Sequence, residues 1–154
     1  MAYQLMGSPA QSYENYVSQV LTHICTHNPA PTRGILKTAN FYPTSYADGT
    51  AKIKVFRDDG TNFIYIGQSP AVNVTKGIVN TIPCWIPVEV GDYIGIYTTS
   101  CRVSTSTTGG AICYYKVGDI TSDSLKSSWS NSGSALWREA YQGNIFSKIS
   151  LFSL

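Results

Sequence analysis

One stretch limits the possible folds of this chain more than any other: Ile86-Pro87-Val88-Glu89-Val90-Gly91-Asp92-Tyr93-Ile94-Gly95-Ile96-Tyr97. Gly91-Asp92 is turn chemistry, and the run after it is too rich in aromatic and β-branched residues for a loop. The stretch reads as strand, turn, strand. Tyr93, Ile94, Ile96 and Tyr97 put bulky groups on both faces around a single Gly95. A strand of that kind is covered on both sides and belongs at the centre of a sheet in a two-layer protein.

Short strand candidates, each followed by a turn signal, repeat along the rest of the chain. Gly34 to Tyr42 runs to Pro43, and Ala51 to Arg57 runs to Asp58-Asp59-Gly60. Phe63 to Gly67, Ala71 to Thr75, Ile78 to Val88, Tyr93 to Thr99 and Ala111 to Val117 follow, and Ala135 to Tyr141 with Asn144 to Phe152 reads as a hairpin about Gln142-Gly143. Spacings near ten residues without strand-helix alternation predict an all-β fold, a single β-sandwich over residues 12–154. Its 154 residues, 43% of them hydrophobic, suffice for one substantial core but not for two ordinary domains.

Residues 1–11 have no period and contain Gly7, Ser8 and Pro9, so they are expected to form an extended arm, disordered or docked on a neighbour, with Tyr3, Leu5 and Met6 as its anchors. Tyr13, Tyr16, Val17, Val20, Leu21 and Ile24 recur at helical spacing behind Ser12, which predicts a short helix over about 13–26. The Ser- and Thr-rich stretch from Ser100 to Gly110 reads as an exposed flexible loop, and Trp85 and Trp137 as core residues.

The central twelve residues resemble the V-x-x-G-D-x-(I/V)-G strand of jelly-roll β-sandwich modules in secreted bacterial surface proteins and in virion fibre or decoration proteins. The resemblance extends loosely to Ala51–Arg57 and Phe63–Gly67, a hairpin that such modules place before that strand. It implies a jelly-roll-like sandwich and brings no catalytic residue with it.

A formal charge of +2, with the Lys and Arg residues scattered from Arg33 to Lys148, gives no basic patch, so nucleic acid is not an expected partner. No run approaches the roughly 20 apolar residues that span a bilayer. The first residues lack the basic segment and apolar core of a secretory signal, so the chain is expected to stay in a cytosol, to leave by another route such as lysis with a virus particle, or to have had its signal removed; the expected location is virion or extracellular.

Three groups of residues are candidates for chemistry. His23, Cys25 and His27 share one face of a strand, and the two histidines share one face of a helix, so either geometry offers metal ligands. Cys101 and Cys113 frame a loop and are a candidate disulfide, the alternative being buried thiols. Trp129 in its Ser-rich loop, with Tyr114 and Tyr115, offers flat faces for a sugar or a partner protein, unless Trp129 folds back onto the sandwich. Asp58, Asp59, Asp119 and Asp123 are weaker candidates for Ca²⁺ or acid-base work. With no nucleophile elbow or phosphate loop, the reading is a non-enzymatic structural subunit that needs no cofactor. Its expected partners are copies of itself or other virion or filament proteins; the alternative is a carbohydrate-binding module for surface glycans.

Overall fold

The computed structural model describes residues 3–147. In chain order the strands are β1 (Tyr3–Gly7), β2 (Asn15–Val17), β3 (Leu21–Cys25), β4 (Gly34–Phe41), β5 (Gly49–Asp58), β6 (Asn62–Gln68), β7 (Val72–Val74) and β8 (Asn80–Val88). There follow β9 (Tyr93–Thr99), β10 (Val103–Ala111), β11 (Cys113–Val117), β12 (Ser124–Leu125), β13 (Ser130–Asn131), β14 (Trp137–Glu139) and β15 (Tyr141–Ser147). The fold is all-β: antiparallel sheets curl into a sandwich-like half-barrel, with no α-helix among the described residues.

The large sheet runs β12-β6-β5-β9-β3-β11-β13, with β7 also on β5, so β9 lies in its middle as expected. The small sheet runs β1-β15-β4-β8, and a third sheet, β14-β10-β2, closes one end. β8 and β9, which looked like the two arms of a turn, belong to different sheets. The Gly91-Asp92 turn carries the chain across the sandwich, and buried Asp92 anchors it. Arg57 Nε and Nη2 donate to its two carboxylate oxygens at 2.8 and 2.9 Å, and the Glu89 N–H donates to Oδ2 at 2.8 Å. Gly91 holds φ at +91°, a conformation glycine adopts at little cost. Gly95 is required by proximity, since a Cβ there would lie 2.5 Å from the His23 carbonyl oxygen on β3.

The main core lies between the two larger sheets. Leu36, Phe41, Ile82, Ile86, Tyr141 and Ile145 of the small sheet meet Ile53, Val55, Ile94 and Ile96 of the large one. A second cluster, Ile24, Phe56, Phe63 and Trp129, covers the opposite face of the large sheet. β9 is therefore packed on both sides.

Several expectations give way here. The helix over 13–26 is replaced by β2 and β3, joined at Val20, whose φ is +58°. β3 sits between β9 and β11, and its Thr22, His23, Ile24 and Cys25 are all buried, so its apolar residues follow no single face. Tertiary pairing overrides the helical spacing, helped by the β-branched Val17, Val20, Thr22 and Ile24. The predicted Ser/Thr loop is largely β10. Its buried hydroxyls are satisfied, with Ser104 Oγ accepting from the Tyr13 N–H at 2.7 Å and Ser106 Oγ donating to Glu14 at 2.9 Å.

Gln142-Gly143 is not a turn but mid-strand in β15, which pairs with β1 and β4; the far arm of the expected hairpin, 148–152, lies outside the described residues. The N-terminal arm is not free over Tyr3–Gly7: it pairs with Gln142–Phe146 of its own chain and buries Met6 completely, leaving Tyr3 and Leu5 exposed.

Candidate functional site

The outer face of the small sheet carries apolar groups that the fold does not need. Register aligns Tyr3 with Phe146, Phe146 with Ile35 and Ile35 with Pro87, one row across all four strands. Leu5 is exposed one step along β1. On β8 burial alternates strictly, with Ile82, Cys84, Ile86 and Val88 inward and Thr81, Pro83, Trp85 and Pro87 outward. Trp85, expected in the core, is instead 66% exposed. Between the pairs Leu36–Ile86 and Thr38–Pro83, β8 has one more residue than β4, so Trp85 belongs to a bulge, with φ at +58°. Bulges re-aim side chains, and a bulky residue in the left-handed region is strained. Lys37 Nζ lies 5.0 Å from the Trp85 ring centre and 5.2 Å from that of Phe146, and Tyr3 meets Phe146 edge-on at 6.0 Å.

The two edges of this sheet differ. Pro83 and Pro87 remove donors from the outer side of β8, a device that discourages strand addition. β1 has no proline and forms the opposite edge.

A second site is buried where the third sheet folds over β3 and β11. Cys25 and Cys113 are register partners, their Sγ atoms 2.7 Å apart. The ligand atoms of Cys25, Cys113 and Glu139 all lie within 4.8 Å of one another. Tyr141 Oη donates to Glu139 Oε1, while Oε2 faces His23 Nδ1 at 3.2 Å, off the hydrogen-bonding direction. His23 Nε2 lies 3.3 Å from the Ser18 carbonyl, which only accepts, so Nε2 carries a proton. Burial, with the carboxylate beside it, drives the Tyr141 hydroxyl well above its ordinary range.

Of the expected metal set, the structure brings Cys25 to this cluster and places His23 at its margin. His27 is elsewhere, its Nδ1 2.8 Å from Ser8 Oγ. Glu139 and Cys113 come from strands far away in the chain, which no local motif reveals. Cys101 does not approach Cys113 as expected. Its Sγ lies 3.8 Å from the Thr50 carbonyl, while Cys113 turns to Cys25 because β11 pairs with β3.

Trp129 folds back onto the large sheet. It is 5% exposed, edge-on to Phe56 and Phe63 at 5.7 and 5.4 Å, and its Nε1–H donates to Ser124 Oγ at 2.8 Å. Tyr114 and Tyr115 alternate to opposite faces of β11. Tyr114 lines an open cavity of about 510 Å³ with Trp129, Thr61, Lys126 and Asn131, and Tyr115 stacks on Trp137 beside a smaller one that reaches His23. The aspartates are engaged structurally. Asp119 is paired with Lys52 and the buried Lys54, Asp58 with Lys126, Asp123 accepts from the Tyr65 N–H, and Asp59 caps its own turn. No protein family, curated protein or solved structure matches the chain.

Proposed function

We propose that this protein is a non-enzymatic structural subunit of a virion or extracellular filament that associates with copies of itself. The surface used is the outer face of the small sheet together with the β1 edge. The observation that carries the reading is the row Tyr3–Phe146–Ile35–Pro87, flanked by Leu5 and Trp85: an apolar face that contributes nothing to the chain's own core. Contiguous exposed apolar surface of this kind marks interaction sites. Among the described residues, the proline-blocked β8 edge leaves β1 as the side of this sheet open to strand addition. Asp58, Asp92 and Asp119 are engaged by Lys126, by Arg57 and by Lys52 with Lys54 in supporting the fold. The resemblance to jelly-roll fibre and decoration modules points the same way.

Mass-resolved chromatography and negative-stain microscopy of the full chain, beside Leu5→Asp and Trp85→Ala, test this. A defined oligomer or fibre that both substitutions dissolve is expected. Compact monomers of the wild-type chain at high concentration would sink the reading.

A second reading, carbohydrate binding, is favoured by Trp85 rather than by Trp129, because Trp85 keeps its ring open beside Lys37 while Trp129 turns its faces to phenylalanines. A glycan array probed with the wild type and Trp85→Ala separates the two: sugar binding that the substitution abolishes, in a monomeric protein, supports this reading over assembly.

A further inference from the structure

We propose that Cys25 and Cys113 form a disulfide tying β3 to β11 when the folding chain meets an oxidant of the small-molecule disulfide class. The first support is register, which sets the two residues directly opposite one another. The second is the kind of site. The Thr26 N–H donates to the Ile112 carbonyl at 3.4 Å, and the Cys113 N–H and carbonyl turn instead to Ser132. That pattern marks a non-hydrogen-bonded pair, the position at which facing side chains come closest. The third is the separation of the sulfurs, 2.7 Å. Two thiolates on one zinc ion sit about 3.8 Å apart, given tetrahedral Zn–S bonds of about 2.3 Å. The geometry thus favours a bond between the sulfurs over a metal held by Cys25, Cys113 and Glu139. Cys84, whose Sγ lies 3.3 Å from the Ile82 carbonyl, and Cys101, at Thr50, are both outside this pair.

The step is thiol-disulfide exchange. One cysteine thiolate attacks a sulfur of a disulfide such as oxidised glutathione, forming a mixed disulfide and releasing one reduced thiol. The second thiolate attacks the mixed disulfide and releases the other. Two protein thiols lose two electrons and two protons, and the small disulfide gains them. Burial, with Cys25 and Glu139 beside it, pushes the Cys113 thiol far above its ordinary range. Both cysteines are buried in the finished fold, so exchange runs before the third sheet covers the pair, and reductant reaches the bond when the chain unfolds. This site is independent of the assembly reading, since a monomer can carry the bridge and an oligomer can lack it.

The test is to refold the full chain in a glutathione redox pair, alkylate it in denaturant and map its peptides without reductant, assaying released zinc in parallel. The expected result is one linked pair, Cys25 with Cys113, alkylated Cys84 and Cys101, and a Tm lowered on the order of 10 °C by reduction. Alkylation of all four cysteines, a link to a different cysteine, or an equivalent of zinc released with two free thiols would each overturn the proposal. In Cys25→Ala the Tm should no longer respond to reductant, and a response of wild-type size in that variant would also overturn it. If that variant does not fold, the wild-type map decides alone.

Discussion

β8 and β9 are separated only by residues 89–92 and are both rich in apolar residues, yet they use them differently. β9 lies in the middle of the large sheet, with its apolar side chains drawn into the two cores on either side. β8 is an edge strand that buries every second residue and turns Pro83, Trp85 and Pro87 outward. The hydrophobicity of β9 is accounted for by this chain's own core. That of β8's outer face is not, and this contrast directs attention to an external partner.

Mutations can break the contrast. Ile96→Ala on β9 removes a fully buried side chain from the main core and should destabilise the fold by about 3 to 4 kcal/mol in denaturant titration. A loss under about 1 kcal/mol would deny that β9 is central to stability. Asp92→Ala, at the crossing between the two strands, leaves Arg57 and the Glu89 N–H without their acceptor and should destabilise by roughly 2 kcal/mol. The loss is moderated because Arg57 can turn to solvent.

Acid should weaken the large sheet first. Desolvation alone would raise the Asp119 carboxyl, but hydrogen bonds from Lys52 and Lys54 outweigh it and hold it below its ordinary 3.8. With the folded value below the unfolded one, the pair contributes fully above the ordinary carboxylate range, and its contribution fades as pH falls through the folded value. Stability followed from pH 6 to about 2 should decline less in Asp119→Asn than in the wild type. Parallel declines would refute the assignment. Smallest of all, Trp85→Gly should change stability by no more than about 0.5 to 1 kcal/mol, with a gain expected because glycine relaxes the positive φ. The same variant should abolish self-association. A large loss of stability there would make Trp85 a structural residue after all.

The expected strands at β4, β5, β6, β9 and β11 appear close to their places, because alternation and turn residues are local signals. Trp85, expected in the core, is not there, although the parity it shares with Pro83 and Pro87 carries the signal, since prolines tolerate only the open side of an edge strand. The misread region over 13–26 failed for a physical reason: β3 is covered on both faces, so its burial carries no period for the sequence to display.

What the sequence determined by itself is the all-β class and the placing of Tyr93–Thr99 at a sheet's centre, because backbone propensity, side-chain alternation and turn chemistry act over a few residues. Only the tertiary structure decided that β8 and β9 part into different sheets, that Tyr3–Gly7 pairs with β15, and that Cys113 meets Cys25 rather than Cys101. Those outcomes depend on strand pairing between residues 88 positions apart, in Cys25 with Cys113, and farther apart still in Tyr3 with Phe146. Which strands become neighbours is settled by how the whole set of apolar faces closes on one core, a property no single stretch contains.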